Sequence, residues 1–346
     1  MANTIVGLEI TEEGVRAAEV TVGRAPRVVA LGSVPLPPGA AKDSEVFDTD
    51  AVVLALRQLW SRAGIKGRRV VLGIGSRRIL VRDYTTQAMR PDLLAQALPY
   101  QVQDLLPVPA DQAVLDFYPT SQTGDQVSGL LVAAVADTVD ELVTAVGKAK
   151  LTVDTVDLAP FALARAVAPL AAAGKTVAAL HLGDHTSYVV VVTDAVPRFV
   201  RIIPMEIMTD AVRTRAALEA DAETPALDEV LDTVPAGEAP LLRRQASRGL
   251  SRPMSMSESE LAGVASRLGS TLRFYADRAV DAPVTRVLLT GAGAIVDGVA
   301  PSLSSSLPMP LEIVGLTDVM ASKVEVPRGD VDLNLLTTVG LTMGVR

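Results

Sequence analysis

The sequence predicts an α/β protein made of two duplicated lobes, the first of which carries a small inserted α+β module. Three observations predict it. The stretch "VGLEITEEGVRAAEV" at 6–20 returns about 172 residues later as "AALHLGDHTSYVVVV" at 178–192. Each copy then turns into a further strand, "GRAPRVVALGSVPLP" or "DAVPRFVRIIP", and self-similarity over half a chain implies homologous lobes. The length of 346 residues suits two domains of ordinary size. Hydrophobic residues at 49% and charged residues at 21% are those of a folded protein, and an aromatic share of 3% leaves the core to Val, Leu and Ala.

Each lobe opens with a meander: "TIVGLEI" or "TVAALHL", a polar turn, "VRAAEVTV" or "SYVVVVTD", and a third strand after a turn near Pro26 or Pro197. In "DAVVLALRQLWSRAGI" at 50–65 the apolar residues recur three and four apart, which predicts a helix. "RRVVLGIGSRRILVRDY" at 68–84 reads as a strand pair around Gly73 and Gly75. Residues 86–157 read as the inserted module: a helix over "RPDLLAQALPYQVQDLL" begun by Pro91, the strands "AVLDFYPTS" and "VSGLLVAAV", the helix "DTVDELVTAVGKAKL" with its acidic start, and the strand "TVDTVDL". The first lobe is thus 1–175, with its core at 1–85 and 158–175, and the second lobe is 176–346. "LAPFALARAVAPLAAAG" at 158–174 is a buried helix, since it holds Arg165 and two prolines and is shorter than the roughly 20 residues a membrane span needs. In the second lobe, about 216–257 is rich in Ala, Glu, Pro and Ser and reads as an insertion. A long helix from 258, the strand "VTRVLLT", the turn "GAGAIVDGV" and a final helix ending at Arg346 complete the chain.

A net charge of −8 argues against nucleic acid or an anionic membrane as a direct partner. The absence of cysteine excludes disulfides, thiolate metal sites and cysteine nucleophiles. No signal peptide is visible at "MANTIVGLEI", so the expected compartment is the cytoplasm. His181 and His185 are the two histidines. They fall on a strand, a turn and a strand rather than on one helix face, which favours a structural role over a metal site. "GIGSRR" at 73–78 lacks the lysine of a phosphate loop and reads as a hairpin turn, and no nucleophile elbow is present.

Glycine-marked hairpins opening both lobes, with a late strand leading into "TGAGA" and a helix, resemble the actin-like ATPase fold. Within it, "YQVQDLLPVP" (Tyr100 to Pro109), "VLDFY" (Val114 to Tyr118), "LLVAAV", "VDTVDLAPFALARA" and "STLRFY" resemble the PilM family of type IV pilus assembly proteins, related to FtsA and to the GspL cytoplasmic domain of type II secretion. The likeness runs from about Ile5 to Arg346 and is loose across 216–257. It implies a site for ATP with Mg²⁺, cradled by Thr11, Gly14 and Arg16 of the first hairpin, Gly183, Asp184 and Thr186 of the second, and Gly291 and Gly293 of the late turn. Turn N–H groups suit phosphate oxygens, and glycine lets the backbone close on them.

Against the family pattern Asp-Ile-Gly-Ser-Ser-x-Val-Lys, this chain has Glu9, Ile10, Thr11, Glu12, Glu13, Gly14, Val15 and Arg16. Two carboxylates thus face a polyanion, and like charges at about 4 Å repel by on the order of 4 kcal/mol at an intermediate dielectric. In the second hairpin His181 replaces the family's aspartate, and an imidazole is no oxygen ligand for Mg²⁺. No catalytic and no metal-binding residue is assigned.

The resemblance implies a non-enzymatic scaffold of the inner-membrane pilus platform. Its partner would be the N-terminal cytoplasmic tail of a PilN-like membrane protein, held as an extended peptide between the first lobe's core and the inserted module. Other platform components and a homo-oligomeric ring are further implied partners, with the membrane reached only through them. The alternative is an ATP-binding or slowly hydrolysing actin-like switch of pilus or type II secretion assembly.

Overall fold

The computed structural model describes residues 3–42, 44–223 and 255–344. Most of the expected 216–257 insertion lies outside the described residues, as does Arg346, the expected end of the final helix. The chain opens with the meander β1 (Thr4–Ile10), β2 (Gly14–Thr21) and β3 (Arg27–Pro35), followed by the short pair β4 (Ala41–Lys42) and β5 (Glu45–Val46). Helix α1 (Thr49–Ala63) is capped by the Asp48 side chain, which accepts from Ala51 N–H, and it ends on left-handed Gly64. Strand β6 (Arg69–Ile74) then pairs parallel to β1.

The strand pair expected over 68–84 does not form. Strand β7 (Leu80–Gln87) leaves β6 and pairs instead with β9 (Gln126–Val135), whose other neighbour is β8 (Ala113–Thr123). "GIGSRR" is therefore a crossover between two sheets, not a hairpin turn. Helix α2 (Pro91–Gln101) backs the three-stranded sheet through Leu98, with Val102 just beyond it packing on Leu131. It ends at Gln101, short of the expected 106, and a single 3-10 turn at Gln103–Leu105 follows.

After α3 (Ala136–Lys148), strand β10 (Thr152–Leu158) pairs parallel to β6 in the first lobe's sheet rather than with the module. Helix α4 (Ala159–Val167) is almost wholly buried, as expected of the run at 158–174, but it ends at Val167 instead of reaching 174, and residues 172–174 are exposed.

The second sheet repeats the first. Strands β11 (Thr176–Leu182), β12 (Thr186–Thr193) and β13 (Val196–Pro204) form the meander; α5 (Asp210–Glu223) and α6 (Glu258–Arg278) follow, and β14 (Val284–Thr290) pairs parallel to β11. A Ser257–Glu260 capping box starts α6. After α7 (Val299–Ser306) comes β15 (Leu311–Ile313), parallel to β14. Strand orders are β10-β6-β1-β2-β3 in the first lobe and β15-β14-β11-β12-β13 in the second, so sequence duplication is matched by topological duplication.

Strand β11 is buried along its whole length because both faces of its sheet are covered. Val177 and Ala179 join the core shared with the first lobe, while Ala178, Leu180 and Leu182 point to the second core under α6.

Two late pieces return to the first lobe. After α8 (Leu316–Val319), β16 (Ala321–Ser322) adds to the edge of β3. Helix α9 (Asp330–Thr342) lies across β1 and against α4. Gly7 and Gly340 allow this: a Cβ on Gly7 would sit 2.2 Å from the Thr338 carbonyl oxygen, and one on Gly340 would sit 2.1 Å from that of Ala162.

Candidate functional site

The two hairpin turns meet tip to tip at the cleft between the sheets. Their residues correspond at a constant offset of 172: Thr11 with Gly183, Glu12 with Asp184, and Glu13 with His185. His185 Nε2 lies 2.7 Å from Glu13 Oε1 and 3.9 Å from Glu12 Oε1, so equivalent positions of the duplicated hairpins touch each other. The contact with Glu13, and after it the nearby carboxylates, hold the His185 imidazolium above its ordinary range against partial burial. Arg215 on α5 ties down the same turn, donating to the Glu12 carbonyl at 2.8 Å with Nη1 3.9 Å from Glu13 Oε1.

Beneath the tips lies a cavity of about 60 Å³ that brings together Thr11, Arg16, Gly183, Asp184 and Thr186 among the expected site residues. Gly14 lines a neighbouring cavity of about 150 Å³, shared with Thr11, Arg16 and Asp184 and closed by Asn334 and Leu335 of α9. Gly291 and Gly293 line neither. The late turn is packed onto the second hairpin instead: at Gly291, with φ of 85°, a Cβ would meet the Leu182 carbonyl oxygen at 2.4 Å. The Ala292 N–H donates to Asn334 Oδ1 at 2.9 Å.

One turn donor is also engaged. Thr11 N–H and its hydroxyl both donate to the Gly14 carbonyl, at 2.8 and 3.0 Å. The glycines keep the turns tight, since a Cβ on Gly14 or Gly183 would come within 2.5 Å of the Val34 or Thr186 carbonyl oxygen.

The floor of the larger hairpin pair is a layer of buried polar groups. Glu9 stands opposite Arg16 in the β1–β2 register, as His181 stands opposite Tyr188 in β11–β12. Burial pushes the Glu9 carboxyl up, with Arg16 and the hydroxyl of Thr338 on α9 opposing that shift. Burial pushes His181 down to about 3, helped by Arg16, so the ring is neutral. It stacks on Tyr188 at 5.3 Å between centroids, and Tyr188 donates to the Gly75 carbonyl at 2.9 Å. Asp184 is raised to about 6, first by burial and then by the neighbouring Glu13 charge, while its Oδ1 accepts from Thr209.

The two histidines are therefore not a pair: one is a stacked interior ring and the other a bridge between lobes. Thr209, Arg215, Thr338 and the Glu13–His185 contact were not legible from sequence. The exception is the repeat offset, which already places Glu13 and His185 at equivalent turn positions.

The type IV pilus assembly protein PilM family matches residues 7–202, which spans both hairpins and the module between them. The chain belongs to this family. Among solved structures, a chain of a PilM–PilN type IV pilus biogenesis complex superposes with a TM-score of 0.76 at 22% identity, over 99% of this chain and 98% of that one. Ethanolamine utilization protein EutJ from Carboxydothermus hydrogenoformans gives 0.49 at 13% identity, covering 99% and 90%. The cytoplasmic domain of EpsL, an inner membrane component of the type II secretion system of Vibrio cholerae, gives 0.44 at 11%, covering 99% and 96%. The fold of this PilM family member is actin-like and of the α/β class, as the duplicated hairpins predict. Among the described residues, no helix is long and apolar enough to cross a membrane.

Proposed function

We propose that this PilM family member is a scaffold of the type IV pilus inner-membrane platform that holds the N-terminal cytoplasmic tail of a PilN-like membrane protein, and that its nucleotide site is retired. The observation that carries the scaffold reading is a groove of about 370 Å³ between α1 and the segment after α3. Its floor is apolar, from Leu56, Trp60, Ile65 and Leu151, and Arg57 and Arg68 stand along it. The Arg57 guanidinium also bonds the Lys148 carbonyl at 3.0 Å, bridging α1 and the end of α3. Apolar pockets flanked by donors suit an extended peptide with aliphatic anchors. The groove lies between the parts of the chain that the resemblance assigns to partner binding.

The cleft supports the second half of the proposal. A triphosphate with Mg²⁺ needs free N–H donors, an oxygen-rich metal shell and a pocket of roughly 300 Å³ or more. Here the space under the tips is about 60 Å³, and Glu12, Glu13 and Asp184 line it. Thr11 N–H is already bonded to Gly14, and His181 stands where a carboxylate is needed. These residues do not fit the group, and no hydrolytic step is derived. The chain would work at the cytoplasmic face of the membrane through its partners, in a ring with other platform components.

The test is fluorescence anisotropy with a labelled peptide of the PilN-like partner's N-terminal segment. Saturable binding is expected for the native chain. Ser61→Trp, which fills the groove from an exposed position, should abolish it, while Ser304→Trp on α7 should not. Equal binding by Ser61→Trp would sink the groove assignment. Separately, millimolar ATP with Mg²⁺ is expected to leave thermal stability unchanged, because a ligand bound only by the folded state must raise it. Micromolar nucleotide binding by the native chain would overturn the retirement. Glu9→Asp, Glu12→Ser, Glu13→Ser and His181→Asp combined should raise nucleotide affinity.

A further inference from the structure

We infer that Glu12, Glu13 and His185 form a site for a divalent transition-metal ion, with Zn²⁺ the best match, that bridges the two lobes at the hairpin tips. One ligand atom from each residue lies within 4.8 Å of the others. In a tetrahedral site with bonds of about 2.0–2.1 Å, neighbouring ligand atoms are about 3.3 Å apart. The two separations from His185 Nε2, 2.7 Å to Glu13 and 3.9 Å to Glu12, bracket that spacing. A change of about 0.6 Å in each of these two separations brings them to that spacing, with the two carboxylates already within 4.8 Å of each other, leaving a fourth position for water.

Two further observations point to a missing ligand. Glu13 Oε1 is buried and accepts no aligned hydrogen bond from the described residues, despite its closeness to His185. His181, 4% exposed, lines the same cavity, and its Nδ1 has no partner among the described residues. Because burial keeps that ring neutral, it offers an acceptor to a metal-bound water.

The cavity of about 60 Å³ is small for a nucleotide but admits one ion and its water. The charges also suit a cation. Glu12, Glu13 and Asp184 converge there with Glu206 close by, and Arg16 and Arg215 offset only part of that charge. One imidazole nitrogen with two carboxylates selects Zn²⁺ or a similar borderline ion over Mg²⁺, which prefers oxygen throughout. The ion would join Glu13 and His185, which stand 172 positions apart at equivalent places in the repeat.

The experiment is isothermal titration of the untagged full chain with ZnCl₂ and, in parallel, MgCl₂, with thermal unfolding followed in the same buffers. Nitrogen-15 spectra of the histidine side chains give the ligation signature. With two histidines and no cysteine in the chain, a shifted imidazole resonance has only two possible sources. One Zn²⁺ per chain, a raised Tm and a shift of the His185 Nε2 resonance are expected, with no response to Mg²⁺. His185→Ala and Glu12→Gln should each weaken Zn²⁺ binding by about tenfold or more, since even the partners of metal ligands matter on that scale. Glu12→Gln, which keeps the side chain's shape, carries the test if His185→Ala does not fold. Absence of saturable Zn²⁺ binding, equal response to Mg²⁺, or binding that Glu12→Gln leaves unchanged would overturn the assignment.

Discussion

Gly340→Ala tests how the two lobes are joined. Gly340 sits on α9 where it crosses α4, and an added Cβ would lie 2.1 Å from the Ala162 carbonyl oxygen, 2.6 Å from its carbon and 3.2 Å from the Ala166 Cβ. Carbon–oxygen contacts normally stop at about 3.3 Å, so the helices must separate by about 1 Å. The obstacle is backbone, which has no rotamer to turn away. Overpacking of this kind costs about 1–3 kcal/mol or more, and the separation also loosens Leu336 from the shared core. Alanine's helix propensity returns about 1 kcal/mol, so with a backbone obstacle placing the overpacking at the upper end of its range the net loss is about 2 kcal/mol. Gly263→Ala on α6 is the matched control: the site is exposed and, among the described residues, nothing lies within 4 Å of its Cβ. It should stabilise by about 1 kcal/mol. Urea unfolding followed by circular dichroism, with linear extrapolation, reads both changes. If Gly340→Ala proves as stable as the native chain, or if both alanines shift stability the same way, the close α4–α9 crossing is not what holds the lobes.

Three other outcomes follow from the same structure. His185→Gln should cost stability at pH 6 and little at pH 9. A histidine raised from its ordinary 6.5 contributes fully below that value and loses its contribution as pH rises through the folded pKa; a difference that does not shrink with pH would contradict the ion bridge. His181→Phe should gain stability over the native chain as pH falls from 6.5 toward about 3, because the unfolded state takes a proton there that the buried ring refuses. Melting curves across that range decide it, and parallel curves would refute it. Glu19→Ala should destabilise by about 3 kcal/mol in urea titration. The Glu19 carboxylate accepts from Thr4 Oγ1 at 2.7 Å and from Lys66 and Gly67 N–H at 2.9 and 3.1 Å, and its removal leaves those donors unmet.

The duplicated meander, the helix over 50–65 and the buried run at 158–174 were legible because each has a local signature: repetition, a helical period, or an apolar run too short to span a bilayer. The fate of β7 was not. "RRVVLGIGSRRILVRDY" carries two strands and a glycine turn, but the strands join different sheets, and the turn between them is met by Tyr188, 113 residues on, whose hydroxyl bonds the Gly75 carbonyl. Likewise "TVDTVDL" reads as a strand whichever sheet it joins, and its partner β6 is fixed by the parallel crossover through the module. At the cleft, the acidic turn at Glu12 and Glu13 and the odd residue His181 were visible as departures from a pattern. That His185 answers Glu13 across the cleft is a long-range fact, as are the contacts from Arg215 and Thr338. Side chains that meet from segments hundreds of residues apart leave no spacing to read.

The return of α9 to the first lobe sets an order on biosynthesis. The groove beside Gly7 is filled by Thr338 and Leu341, so the amino-terminal lobe emerges from the ribosome with part of one face of its sheet bare. It stays bare until residue 342 has been made. At about 5–20 residues per second, the roughly 170 residues from the first lobe's end to that helix take on the order of ten seconds or more to appear. During that interval the nascent chain exposes Val, Leu and Ala surface, which makes it a natural client for chaperones. The lobe that comes first in sequence is among the last parts of the molecule to be finished.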